Sequence, residues 1–269
     1  MTIRLIRNSQ EIDLTDYFRV KEFYVEPLTI QYDEYKVDQG NTVVVPRGYN
    51  TRRITATLKF MNYNLDAYAG KLGMFRELFT HQEPFYLIDM HDSTKMWYVR
   101  NDGGFPTTRS ALSADIEVSF VCVNKYAMHT RGNNVIDKLW SANNNAWSDN
   151  ISWSDTYTNS YNSNNVLYNY LGTALLDPRE NESSFTLRGT FSNQVRIQNT
   201  TTGSDFIYNG SLTSSDELLL YNTTVLKNGI SVKNDTNFSV ITLAPGNNNI
   251  IISGGTVSSF VLEHNFYYL

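Results

Sequence analysis

The chain has 269 residues, with 22 Lys and Arg against 27 Asp and Glu for a formal charge of -5. That balance excludes the basic footprint of a nucleic-acid binder, and the length allows two ordinary domains, each with its own core. A single cysteine, Cys122, excludes a disulfide framework and sits in an apolar phase, where a small core residue is expected. The opening MTIRLIRNSQEIDL lacks the apolar run of a signal peptide, and no stretch is long enough to span a bilayer. Synthesis in a reducing cytoplasm is therefore expected, with no membrane association.

The first element is VKEFYVEPLTIQYDEYKVDQGNTVVVPRG, from Val20 to Gly48, which is extended and punctuated by Pro27, Gly40 and Pro46. It reads as a projecting β-ribbon, and Tyr32, Tyr35, Val43, Val44 and Val45 on it are candidate oligomer contacts. TRRITATLKF then alternates, with Ile54, Ala56, Leu58 and Phe60 on one face, as in a half-buried strand. NLDAYAGKLGMFRELF spaces Leu65, Tyr68, Leu72, Phe75 and Phe79 three and four apart behind Asn64, which predicts a helix with an asparagine N-cap, ended by Glu83-Pro84. FYLID and KMWYVR form a strand pair across His91, Asp92 and Ser93. SADIEVSFVC is a second alternating strand, with Ile116, Val118, Phe120 and Cys122 inward.

From 131 to 171 the composition turns to Asn, Ser and aromatics, with Trp140, Trp147 and Trp153 in a short local repeat. This reads as a connector pinned by its tryptophans, between a first domain at 1–130 and a second at 172–269. The last part is a string of short strands: SSFTLRG, QVRIQN, DFIYNG, ELLLYN, FSVITL, NIIISG and SSFVLEHNFYYL. Turn signals at Thr202-Gly203, Asn209-Gly210 and Asn228-Gly229 fall between them at the intervals of a β-sandwich. In FSVITLAPGNNNIIISGG, Pro245 and Gly246 suit the two corner positions of a type II turn joining two strands into a hairpin. The fold class is mainly β in two domains, with one helix.

No catalytic constellation emerges. His81, His91, His129 and His264 are scattered, with neither helical metal-ligand spacing nor a cysteine pair. No Ser stands in a nucleophile elbow, and Glu83, Asp89 and Asp92 fall at turns and strand ends where acids are ordinary. Gly103-Gly104 and Gly254-Gly255 precede no helix, so no phosphate loop is expected. No cofactor, metal or catalytic residue is assigned, and the protein reads as non-enzymatic. The sequons at Asn150, Asn181, Asn199, Asn209, Asn222, Asn234 and Asn237 mark surface loops at most.

The order of these motifs resembles the distal tail proteins (Dit) of siphophages that infect Gram-positive bacteria. The resemblance spans nearly the whole chain. RRITATLKF, FRELF, EPFYLID, KMWYVRNDG and ADIEVSFVCVNKYAMH carry it first, then DPRE at Asp177 to Glu180, TTGSDFIYNGSL, DELLLYN and LAPGNNNIIISGG. It implies a ring-forming N-terminal domain related to the tail-tube fold and a C-terminal galectin-like β-sandwich. It further implies a homohexameric hub at the virion tail tip, joining the tail tube protein to the tip or hub protein, with DNA passing through its channel. Receptor-binding proteins are further partners in that family, but no long insertion here offers an arm for them. A carbohydrate-binding cell-wall adhesin is the alternative, motivated by the sandwich and the three tryptophans.

Overall fold

The computed structural model describes residues 2–37, 41–61, 64–110, 112–130 and 158–269. The tryptophan repeat at Trp140, Trp147 and Trp153, and the sequon at Asn150, lie outside them. The chain divides into two units, 1–127 with Leu269 and 128–268.

The first unit contains β1 (Ile3–Arg7), β2 (Gln10–Asp13), β3 (Arg19–Val25), β4 (Ile30–Val37), β5 (Asn41–Tyr49), β6 (Arg53–Met61), α1 (Leu65–Phe79), β7 (Phe85–Asp89), β8 (Lys95–Asn101), β9 (Thr107–Ser110) and β10 (Ser113–Cys122). Its main sheet runs β2-β1-β7-β8-β10-β6-β3, with β9 also on β10. The two alternating strands are antiparallel neighbours, Ile116 opposite Leu58 and Phe120 opposite Ile54. One face is therefore continuously apolar. Helix α1 covers it with Tyr68, Phe75 and Phe79, all buried; Phe75 meets the Phe18 ring edge-on at 5.6 Å, and Phe79 lies 5.7 Å from Phe120. Asn64 caps the helix, its Oδ1 accepting the Ala67 N–H at 2.8 Å. Leu65, assigned to the apolar stripe by its spacing, is exposed in the first turn.

The second unit opens within β11 (Ala127–His129) and continues with β12 (Ser160–Tyr161), β13 (Asn165–Tyr170), β14 (Ser183–Asn199), β15 (Ser204–Tyr208), β16 (Glu217–Tyr221), β17 (Thr224–Lys227), β18 (Ile230–Ser231), β19 (Gly246–His264) and β20 (Tyr267–Tyr268). Its frame is β14 against β19, paired from Ser183 opposite His264 to Asn199 opposite Ile250. SSFTLRG with QVRIQN, and NIIISG with SSFVLEH, are thus two long strands and not four short ones. Register shifts after Arg188 and Phe191 bend the pair. Glycine is required there because a Cβ on Gly189 would overlap the Thr256 carbonyl, and one on Gly255 the Thr190 carbonyl. Either side of the bend β14 changes partner, pairing with β16 through Ser184–Arg188 and with β15 through Val195–Asn199. One bent strand thereby joins the two ends of a single eight-stranded sheet.

Three expectations change here. FSVITL is not a strand; Phe238 to Thr242 runs irregularly, and Leu243 makes a single bridge to Leu176. The Pro-Gly stretch is therefore a corner leading into β19 and no hairpin, although Gly246 does take positive φ, +81°. Second, β12 and β13 lie inside the segment assigned to the connector. β13 pairs with β19 from Asn165 opposite Ile251 to Tyr170 opposite Gly246, burying Val166, Tyr168 and Tyr170. Its alternation is hidden by tyrosines and asparagines. Third, Asn181 and Asn199 are buried and so mark no surface loop.

Candidate assembly surface

Among the described residues β4 and β5 pair only with each other, from Ile30 opposite Tyr49 to Val37 opposite Asn41, with a bulge after Gln31. They form a ribbon separate from the main sheet. The ribbon is shorter than its sequence pattern suggested, because Arg19–Val25 belongs to the main sheet as β3. Every residue of β5 is exposed, and Tyr32, Tyr35 and Val44 each keep more than half their surface, at 55%, 57% and 51%. A lone two-stranded ribbon is marginal in water and gains stability by packing on a third surface. Large apolar side chains in one patch mark such a contact.

The register sorts the five candidates by face. Tyr35 is opposite Val43, and Asp33 opposite Val45, on one face; Tyr32 is opposite Pro46, and Glu34 opposite Val44, on the other. Tyr35, Val43 and Val45 therefore gather on one side, and Tyr32 and Val44 on the reverse. Pro46 is tolerated because, among the described residues, β5 has no neighbour on its outer side.

Residues 7–122, which include the ribbon and most of the main sheet, match the family model of the phage tail protein RIFT-related domain. The matched stretch lies within the first unit. At the scale of the whole fold the chain is similar to the crystal structure of SPP1 Dit (gp 19.1), described as a paradigm of the hub adsorption apparatus in phages infecting Gram-positive bacteria. The TM-score is 0.70 at 12% identity, over 98% of this chain and 99% of that one. The distal-tail resemblance carried by the sequence motifs is thus met in the fold, which is mainly β with one α-helix among the described residues. No curated protein matches the sequence.

Elsewhere in the first unit Cys122 is buried at the end of β10, and burial pushes its thiol up to about 12. Such a thiol is not ionised at neutral pH and is inert as a nucleophile. Beside it Arg52 is also buried, its guanidinium 5.0 Å from the centre of the Trp97 ring. His91 and Asp89, which flank the turn after β7, bond each other at 2.9 Å on the surface. The described residues contain no group of three or more His, Cys, Asp or Glu able to hold a metal, and no helix long and apolar enough to cross a membrane.

The turn residues of the second unit have distinct physical roles. Gly246 supplies the left-handed corner, and behind it the buried Asn248 accepts the Ala244 N–H at 2.8 Å and donates to the Ala244 carbonyl at 2.7 Å. Asn199, buried too, donates to Asn248 Oδ1 at 2.9 Å. The corner at Pro245 is held by side chains where the sequence suggested strand pairing. Asn209 donates its N–H to the Asp235 carbonyl at 2.7 Å. Gly210 is needed because a Cβ there would overlap the Tyr208 ring. At Asn228-Gly229 both residues have positive φ, +50° and +81°, the mirror-image turn that Asn-Gly favours between hairpin strands β17 and β18.

Proposed function

We propose that this protein is the distal tail hub of a siphophage: a non-enzymatic structural virion protein that closes into a homohexameric ring at the tail tip. In this reading the ring joins the tail tube protein to the tip or baseplate hub protein and surrounds the channel through which DNA leaves. Tyr32, Tyr35, Val43, Val44 and Val45 lie in the contact between subunits. Receptor-binding proteins dock on neighbouring hub components, since the chain has no long insertion to serve as an arm.

The observation that carries the proposal is the ribbon, a free-standing β-pair with apolar side chains exposed on both faces, within a chain whose fold follows a Dit protein from end to end. A ring requires a heterologous contact, one patch on each subunit meeting a different patch on the next. A projecting ribbon supplies the first patch. The carbohydrate-binding alternative has no comparable support, because its three tryptophans lie outside the described residues.

The test is the mass of the purified protein by analytical ultracentrifugation, with negative-stain images. The expected result is closed rings of six subunits or back-to-back pairs of them. A chain that stays monomeric at high concentration, and enters no ring when tail-tube or tip proteins are added, overturns the proposal.

A further inference from the structure

A ring needs a receiving patch as well as a ribbon, and the first unit carries a groove suited to that role. β3 ends the main sheet, paired only with β6, so its outer backbone edge is open among the described residues. At the start of that edge lies a groove of about 910 Å³, where Arg19, Lys21, Lys59 and Lys71 surround the half-buried Tyr17, and the buried Phe60 lies beneath. Arg19 and Lys59 stand directly opposite each other on adjacent strands. Like charges in that position repel. The bulge between Val20 and Glu22 makes Lys21 the extra residue of β3 and re-aims it across β6, where it pairs with Asp115 at 2.9 Å. Lys71 reaches in from α1 and donates to the Tyr17 carbonyl at 2.8 Å. Two acids, Asp16 lining the groove and Asp115 beside it, face these four cations. Arg19 has no ion-pair partner among the described residues, and Lys59 stands opposite Asp115 on β10, a carboxylate whose hydrogen bond goes to Lys21, so one acid serves two of the cations.

Of the ribbon's two faces, the one bearing Tyr35, Val43 and Val45 also carries Asp33. Asp33 is 3.9 Å from Arg47, whose side chain is largely exposed, and such a pair is weak in water. That face is thus apolar with an acid beside it, and the groove is a ring of cations around the Tyr17 ring. We propose that the ribbon of one copy of this chain seats in the β3 groove of the next, with Tyr35, Val43 and Val45 over the half-buried Tyr17 and Asp33 between Arg19 and Lys59. This inference rests on the ring reading above and names the receiving surface for it. The carboxylate relieves the Arg19 and Lys59 repulsion, and the open edge of β3 offers backbone groups to an incoming strand. Because donor and acceptor patches differ, the same contact repeats from copy to copy until the ring closes.

The test uses two full-length single-site variants, Val45→Cys and Lys59→Cys, mixed in equal amounts and treated with a short bis-maleimide. Native Cys122 is buried and serves as its own control. The expected product is a covalent dimer whose linked peptide joins position 45 of one copy to position 59 of the other. In parallel, Asp33→Lys and Lys59→Glu should each raise the concentration needed for assembly by about tenfold, and combining them should restore it. Rings that form without the 45 to 59 link, and without rescue by the double reversal, overturn the groove and leave the ring reading standing. A protein that neither links nor assembles overturns both.

Discussion

His264 is enclosed by aromatic rings: Tyr168, Tyr170 and Phe266 all lie within 5.6 Å between ring centres. Its Nε2 shares a hydrogen bond with the Tyr168 hydroxyl at 2.6 Å, and Nδ1 is 3.0 Å from the Asn265 carbonyl. Burial disfavours the imidazolium and lowers the pKa from the ordinary 6.5 to about 4. The folded state therefore holds a neutral ring where the unfolded chain takes up a proton. Stability is full above pH 6.5, falls as pH drops from there toward 4, and is lost by on the order of 3 kcal/mol across that window. Urea unfolding at several pH values should show this slope in the native chain and a shallower one in His264→Gln. Parallel slopes would mean that other groups govern the acid response. Asp216, held below the ordinary range first by the Thr213 N–H and then by Asn228, acts separately, its contribution being lost only below the ordinary carboxylate pKa.

At the scale of the element, the ribbon shows how register divides a patch that reads as continuous in the sequence. Val43, Val44 and Val45 are consecutive, yet Val44 faces away from its two neighbours. Val44→Asp combined with Tyr35→Asp places one charge on each face. Whichever face packs on the neighbour, one of the two charges then lies in the contact, at a cost on the order of 3 kcal/mol where it is desolvated, enough to stop closure. Both side chains are exposed in the protomer, so circular dichroism should be unchanged while sedimentation shows monomer. Rings that persist with both charges in place would put the assembly contact elsewhere on the chain.

For the whole molecule, the consequence lies in where a second domain begins. The composition break suggests cutting at Gly172, but β13 ends at Tyr170 and pairs with the first residues of β19. A chain starting at residue 172 exposes that edge and removes the Tyr168 partner of His264. A chain of residues 158–269 retains both. We expect the longer piece to unfold cooperatively on heating and the shorter one to aggregate, since an uncovered apolar strand edge is a template for association. Equal, cooperative melting of the two would show that β12 and β13 are dispensable to the second unit.

Local pattern alone determined much of the first unit. The period-two runs of β6 and β10, the capped helix at Asn64 and the β7 and β8 pair were readable because each buries one face against a single core, and such burial imposes its period on the sequence. The ribbon was readable too, although not its starting point, because β3 and β4 are both extended and only partners tell them apart. Tertiary structure decided the rest. Whether SSFTLRG and QVRIQN are two strands or one depends on a bend made where Gly189 meets Thr256, a contact between distant residues. Whether the tyrosines and asparagines of β13 belong to a connector or a sandwich depends on β19 lying beside them. FSVITL has the composition of a strand but, among the described residues, no ladder partner beyond the bridge at Leu243, and Asn248 supplies the corner's hydrogen bonds instead. The groove at β3 has no sequence signature, since Arg19, Lys59 and Lys71 are scattered along the chain and acquire a common function only when strand register and helix packing set them side by side.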